Sequence, residues 1–183
     1  MTSYSTISGS TGAITYSYSW TGSTIYAASA TRPTNAGTYQ VIATVAADAN
    51  YNGATSAALA FTISKANSTI TATGTTTFTY TGSPQGPSTS NKTGSTGAVT
   101  YSYSGTGSTT YAASATRPTN AGTYQVIATV AADANYNGAT SAALAFTISK
   151  ANSTISATGT TTFTYTGSPQ GPTTSTISGS TGA

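Results

Sequence analysis

Tandem repetition constrains this chain more than any other feature of its sequence. Residues 26–65 recur letter for letter at residues 111–150, which is an offset of 85 residues. Residues 66–87 recur at residues 151–172 with a single substitution. A period of this length exceeds the roughly 20–45 residues of a solenoid coil and fits one small domain. We therefore predict that the two copies fold identically, strand for strand.

The repeat also predicts where the domains begin and end. Residues 1–65 form a partial first repeat that lacks its first strands, and residues 66–150 form a complete repeat. Residues 151–183 carry the first strands of a further repeat. Residues 5–13 are identical to residues 175–183. We therefore interpret the chain either as part of a longer array or as a subunit whose C-terminal segment repeats its N-terminal segment.

Every clear hydrophobic pattern in the chain has period two, which is typical of strands. In residues 75–81, Phe78 and Tyr80 share one face, and Thr75, Thr77, Thr79 and Thr81 share the other. Short turn sequences such as Asn52-Gly53 separate the runs, and no segment has a helical stripe. The predicted fold class is all-β: tandem small antiparallel domains of about 85 residues with six or seven strands each, either Ig-like β-sandwiches or β-grasp-like.

Alternation also predicts the core of the complete repeat, in which tyrosine is prominent because it combines a large apolar area with a hydroxyl group. The predicted core residues are Ile70, Phe78, Tyr80, Val99, Tyr101, Tyr103, Tyr124, Val126, Val130, Leu144, Phe146 and Ile148.

Composition excludes most chemistry. The chain has no His, no Cys and no Glu, and only 4% of its residues are charged. The usual groups for acid–base, thiol and zinc chemistry are therefore absent, and we predict that the chain is not an enzyme. The net charge of +3 comes from scattered single residues, so no nucleic-acid partner is expected. The apolar stretches, such as residues 57–61, are too short for membrane insertion.

One loop matches the first half of a calcium-binding sequence, D-x-N-x-N-G. Calcium takes six to eight oxygen ligands, and such a loop closes with a glutamate at its twelfth position. Here that position is Leu59 or Leu144, so any calcium site is weak and no cofactor is expected. The favoured interpretation is a turn in which Asp and Asn bond their own backbone. The weak metal candidates are Asp48, Asn50 and Asn52 with their copies Asp133, Asn135 and Asn137.

The chain resembles a known family along nearly its whole length. The runs YTGSPQGP at residues 80–87, GAVTYSYSG at 97–105 and RPTNAGTYQVIATVAADANYNGATSAALAFTISKA at 117–151 are similar to the MBG-type tandem repeat domains of large bacterial surface proteins and adhesins. The resemblance implies an extracellular, all-β repeat at the bacterial cell surface. This chain departs from the family's pattern in being threonine- and serine-rich and in having few acidic residues. It implies a structural stalk or filament and supplies no site residues.

A carbohydrate- or ice-binding surface module is the alternative function. Tyrosines could stack on sugars, but their strand periodicity favours the core. The threonine row of residues 75–81 could order water, but the solvent face of a half-buried strand explains it equally. Trp20 has Gly105 as its copy, which argues against a repeated binding site there.

The two incomplete ends are complementary. Residues 1–65 lack the part corresponding to residues 66–87, and residues 151–183 have that part with nothing to pack against. An incomplete sheet is satisfied by strand addition from a neighbour, either a second copy in a head-to-tail homopolymer or an adjacent repeat of the same chain. The alternative places the boundaries near Gly9 and Gly94, which gives two complete permuted domains. The candidate assembly residues are Ile70, Phe78, Tyr80, Ile155, Phe163 and Tyr165.

Overall fold

The computed structural model describes residues 6–22 and 26–179, and all regular secondary structure in this part of the chain is strand. The predicted all-β class is therefore confirmed. Residue 5 and residues 180–183, which belong to the repeated end segments, lie outside the described residues.

The first repeat forms one antiparallel sheet. Its strands are β1 (Ile14–Trp20), β2 (Gly37–Val45), β3 (Ala54–Thr55) and β4 (Leu59–Ile63). β2 is central and pairs with β1, β3 and β4. The long β2 can take this position because its residues are apolar on both faces, as in a strand that is flanked on both sides.

The second repeat has seven strands, which agrees with the six or seven predicted. They are β5 (Thr69–Thr73), β6 (Thr77–Thr79), β7 (Thr89–Thr93), β8 (Val99–Gly105), β9 (Gly122–Val130), β10 (Ala139–Thr140) and β11 (Leu144–Ser149). β8 to β11 begin 85 residues after β1 to β4, and β9 pairs with β8, β10 and β11 as β2 does with its neighbours. The prediction that the shared part of both copies has the same fold is confirmed.

The chain packs as two compact units that do not coincide with the repeats. One contains residues up to 70 together with residues 92–99 and 129–141. The other contains residues 71–91, residues 100–128 and the chain from residue 142 onwards.

One strand pair differs from the antiparallel expectation. β6 runs parallel to β11, with Phe78 opposite Ile148. Backbone bonds continue at both ends of the pair: Thr147 N–H donates to Thr76 O (2.9 Å), and Tyr80 N–H donates to Ser149 O (2.8 Å). The alternation of residues 75–81 predicts a strand but contains no information on the direction of its partner.

The core of the second repeat lies on the face of β9 and β11 that alternation selects. Val126 is 0%, Ile148 1% and Phe146 3% exposed. Of the twelve predicted core residues, seven are buried: Ile70, Tyr103, Tyr124, Val126, Val130, Phe146 and Ile148. Phe78, Val99, Tyr101 and Leu144 are half-buried.

The prediction that Tyr80 is buried is wrong. Its side chain is 42% exposed, because β6 ends at Thr79 and the chain turns away at the next residues. Phe78 remains on the edge strand and contacts Phe146 edge-on, with ring centroids 6.0 Å apart.

The chain ends in a two-stranded hairpin formed by β12 (Thr154–Thr158) and β13 (Thr174–Ser178). The strands are antiparallel, with Ile155 opposite Ile177. All residues from 149 to 179 are exposed.

Candidate functional site

A cover segment, residues 69–93, packs against the sheet of the second repeat. Gln85 N–H donates a hydrogen bond to Pro118 O (2.9 Å), and Tyr103 Oη donates to Pro87 O (2.7 Å). Burial raises the pKa of the Tyr103 hydroxyl, which disfavours its ionised form. Together with the pairing of β6 with β11, these bonds attach the cover segment to β8, to β11 and to the loop before β9.

Gly86 brings the backbone of the cover segment against two aromatic rings. A Cβ atom at this position would lie 3.0 Å from Phe146 Cζ and 3.2 Å from Tyr103 Cε1. Its φ of +151° is a conformation that residues with side chains rarely adopt. Glycine therefore allows the close packing that seals this face of the core.

The corresponding face of the first repeat is more exposed, although its residues are the same. Val41, Phe61 and Ile63 are half-buried, whereas their copies Val126, Phe146 and Ile148 are at most 3% exposed. Leu59 is 68% exposed. Since these strands match in sequence and pairing, the difference in side-chain exposure results from the segments that cover the two sheets.

Trp20 closes part of this face in the first repeat. Its ring lies 4.6 Å from the ring of Tyr39 (between centroids), and Tyr39 is only 1% exposed. Tyr26 also contacts Tyr39 edge-on, at 5.9 Å. A cleft of about 400 Å³ remains beside these three rings, lined further by Asn35 and Lys65.

The terminal hairpin, residues 154–178, is the copy of β5 and β7 with their connection, and its apolar side chains face solvent. Ile155 is 68% exposed, whereas its copy Ile70 in the cover segment is 7% exposed. Phe163 is 44% and Tyr165 91% exposed. The six candidate assembly residues therefore differ in exposure: Ile70 is buried and Phe78 is half-buried, whereas Tyr80, Ile155, Phe163 and Tyr165 are exposed.

The two aspartates hold turns together. Asp48 Oδ1 accepts hydrogen bonds from the backbone N–H groups of Asn50 and Tyr51 (both 2.9 Å). Its Oδ2 accepts from the Thr11 N–H (2.7 Å) and the Thr11 hydroxyl (3.0 Å). Asp133 makes the same four bonds with Asn135, Tyr136 and Thr96. This arrangement supports the turn interpretation of the D-x-N-x-N-G sequence.

These hydrogen bonds lower the pKa of both carboxyl groups well below the usual range. The largest contribution comes from the backbone N–H of Thr11 for Asp48 and of Thr96 for Asp133. Each aspartate therefore links its own turn to a second loop that is 37 residues earlier in the chain.

The asparagines of the second copy have partners that the sequence did not reveal. Asn135 Oδ1 accepts from the Ala36 N–H (2.8 Å), and its Nδ2 donates to Asn35 Oδ1 (3.1 Å). Asn137 Nδ2 donates to Asn67 Oδ1 (3.0 Å). In the first copy, Asn50 and Asn52 are exposed.

We predict that millimolar calcium or EDTA leaves the melting temperature nearly unchanged. Each loop has one carboxylate, and its oxygens already accept four hydrogen bonds. In the part of the chain that the structure describes, no group of three or more His, Cys, Asp or Glu side chains comes together. Thermal melts with and without calcium provide the measurement, and a shift of about ten degrees would make Asp48 and Asp133 ligands.

Acid is expected to destabilise the protein through these two groups. A carboxyl whose pKa is lower in the folded state contributes stability that is complete above its unfolded value of about 4 and is lost as the pH falls further. We expect urea titrations to give a constant free energy of unfolding from about pH 5 to 8 and a decline below about pH 4. The double variant Asp48→Asn/Asp133→Asn should have a lower free energy of unfolding at pH 7. This free energy should decrease much less below about pH 4 than it does in the wild type. An unchanged decline in this variant would contradict the assignment.

The threonine row of residues 75–81 is only partly on a strand. All four of its threonines are exposed, but β6 includes only Thr77 and Thr79. The flat ordered surface is therefore two threonines long.

The structure contains no helix among residues 6–22 and 26–179 that is long and apolar enough to cross a membrane. No curated protein matches the chain, and no solved structure matches it. One family model does match, twice and in tandem: the MBG domain, at residues 1–67 and 68–152. These two matches include most of the sequence, and the chain therefore belongs to the MBG domain family, as two consecutive repeats.

Proposed function

We propose that this chain is a structural tandem-repeat segment of an extracellular bacterial adhesin stalk or filament. Two consecutive MBG domains and the scarcity of reactive side chains support a mechanical role without catalysis. The resemblance to bacterial surface repeats supports the location at the cell surface. A chain of near-identical domains provides length more readily than diverse binding sites.

We further propose that the repeats assemble head to tail by strand complementation. The terminal hairpin of one copy covers the open face of the first sheet in a second copy, as residues 69–93 cover the second sheet. The observation that carries this proposal is the contrast between Ile70 and Ile155, which occupy the same place in nearly identical segments and are 7% and 68% exposed.

The two surfaces fit each other by chemistry as well as by sequence. Both are apolar: Ile155 and Phe163 on the hairpin, and Leu59, Phe61 and Ile63 on the sheet. Burial of such side chains is favourable by about 25 cal/mol per Å² of apolar surface. Among the residues that the structure describes, β4 pairs only with β2, and residues 162–164 would pair in parallel along its other edge, as β6 pairs with β11.

The test is the mass of the 183-residue chain in solution as a function of concentration, by size-exclusion chromatography with light scattering. The wild type is expected to form oligomers that grow with concentration, because a heterologous contact does not close on itself. Ile155→Asp should abolish this growth, since it places a charge in the apolar contact.

Ser156→Asp is the matched control. Its copy Thr71 is exposed in the packed cover segment, so a charge at Ser156 should remain in solvent and leave the growth unchanged. Neither substitution should alter the fold of one chain, because both residues are exposed in it. A wild-type mass near 18.0 kDa at all concentrations would refute the homopolymer.

Carbohydrate binding is the second candidate. It is favoured by the cleft beside Trp20 and Tyr26, where Asn35 and Lys65 add polar groups. Aromatic rings with a few polar groups are typical of small-molecule sites. A glycan array on the wild type and on Trp20→Ala tests it: binding that is lost in the variant would support this candidate, and an array without binding would remove it.

A further inference from the structure

We infer that the Asp48 loop, residues 48–53, is a docking site for the Asn120–Ala121 turn of a second copy of this chain. This inference rests on the proposed head-to-tail assembly and adds a second, polar contact to it. The chain already makes one such set of hydrogen bonds, between one repeat and the next.

The contact inside the chain is made by the Asp133 loop, residues 133–138. Asn135 Oδ1 accepts a hydrogen bond from the Ala36 N–H, and Asn135 Nδ2 donates one to Asn35 Oδ1. Both polar atoms of the Asn135 side-chain amide therefore bond to the same turn of the preceding repeat. Lys65 Nζ also donates to Asp133 O (2.6 Å). A paired amide of this kind fixes the orientation of the turn as well as its distance.

The same loop holds the first residues of its own repeat. Ala66 N–H donates to Asn135 O (2.9 Å), and Asn137 N–H donates to Ala66 O (2.8 Å). Asn137 Nδ2 donates to Asn67 Oδ1 (3.0 Å). The Asp133 loop therefore contacts both the first residues of its own repeat and a turn of the preceding repeat, through the neighbouring residues Asn135 and Asn137.

Both halves of this contact occur a second time, and among the described residues neither copy makes the pair of side-chain hydrogen bonds that joins Asn135 to Asn35 and Ala36. Asn50 is the copy of Asn135, is exposed, and its side chain makes no hydrogen bond to another described residue. Tyr51 is 55% exposed, whereas its copy Tyr136 is half-buried. Asn120 and Ala121 are the copies of Asn35 and Ala36 and lie beside the Tyr111–Tyr124 pair. Asn120 is exposed and Ala121 half-buried, and Asn120 O accepts a hydrogen bond from Tyr124 Oη (2.8 Å) as Asn35 O does from Tyr39 Oη (2.7 Å).

The loop in the first repeat is already shaped for this role. Asp48 makes the same four hydrogen bonds as Asp133, so the turn exists before any partner arrives. A preformed site avoids the entropy cost of ordering a loop on binding. Asn120, Ala121 and Lys150 precede the terminal hairpin in the sequence as Asn35, Ala36 and Lys65 precede the cover segment, so the donor that supplies the hairpin also supplies the turn.

Cross-linking between two single-cysteine chains tests the contact, and the absence of native cysteine makes the labelling specific. Asn50→Cys and Asn120→Cys chains are mixed, treated with a short bismaleimide and separated on a denaturing gel. A covalent dimer is expected in the mixture and not in either chain alone. As a positive control, Asn35→Cys/Asn135→Cys should cross-link within one chain.

The outcomes separate this inference from the assembly itself. Growth in light scattering without the Asn50–Asn120 dimer would overturn the docking site and leave hairpin complementation intact. A dimer that persists when the Asn120→Cys chain also carries Ile155→Asp would support the docking site and refute the hairpin as the cause of association. If neither oligomer growth nor the cross-linked Asn50–Asn120 dimer is observed, both the docking site and hairpin complementation are refuted.

Discussion

Replacing Phe146 with alanine is expected to lower the free energy of unfolding by about 3–5 kcal/mol, the usual range for truncation of a buried aromatic residue. Phe146 is 3% exposed, and its ring contacts Phe78, Tyr103 and Tyr124. Removal of the ring leaves a cavity beneath the cover segment. Urea titration followed by tyrosine fluorescence measures the loss.

Phe61→Ala is the matched control, because Phe61 has the same sequence neighbours and the same strand pairing. It is half-buried and lacks the contact that Phe78 makes with Phe146. We expect its truncation to cost less than half as much in the monomeric chain. Equal losses for the two variants would mean that the cover segment contributes little to the core.

Gly86→Ala is expected to destabilise the second repeat by about 1–3 kcal/mol, the range for an overpacked core. The new methyl group would press against Phe146 and Tyr103 at a positive φ. Either the aromatic rings or the backbone of the cover segment must shift to accommodate it. Urea titration again provides the measurement.

The control for this change is Gly171→Ala in the terminal hairpin segment. Gly171 is the copy of Gly86, and a Cβ atom there would meet nothing within 4 Å. The monomer should therefore keep its stability, whereas under the proposed assembly the association of chains should weaken. Loss of monomer stability in Gly171→Ala would contradict the open position of this segment.

The sequence predicts strands well where pairing is local. β1 to β4 and β8 to β11 follow from alternation and turns, because hairpin neighbours are close in the chain. For β6, alternation alone does not decide whether the strand forms. Thr77–Thr79 is a strand because it pairs with β11, whereas the identical letters at residues 162–164 are irregular in the absence of such a partner. Strand formation here is a property of the tertiary context.

The relation of the terminal hairpin to β5 and β7 could be predicted from the repeat alone, since it depends only on the offset of 85 residues. The role of Asn135 could not. Its partners Asn35 and Ala36 are 100 and 99 residues away, and a turn sequence contains no information about distant neighbours. The D-x-N-x-N-G pattern predicts a turn at residues 133–138 but gives no indication of the hydrogen bonds that Asn135 makes to the preceding repeat.

The parallel pairing of β6 with β11 has a consequence for folding during synthesis. The two strands are separated by about 70 residues of chain, and contacts of such long range form slowly. As the ribosome releases a repeat, its cover segment emerges first and must wait for the last strand of the same repeat. During that interval a sheet of nearly the same sequence in the previous repeat offers a competing partner, which is the hazard of mispairing in arrays of near-identical domains. Faithful folding of a long array therefore depends on the order in which the strands leave the ribosome.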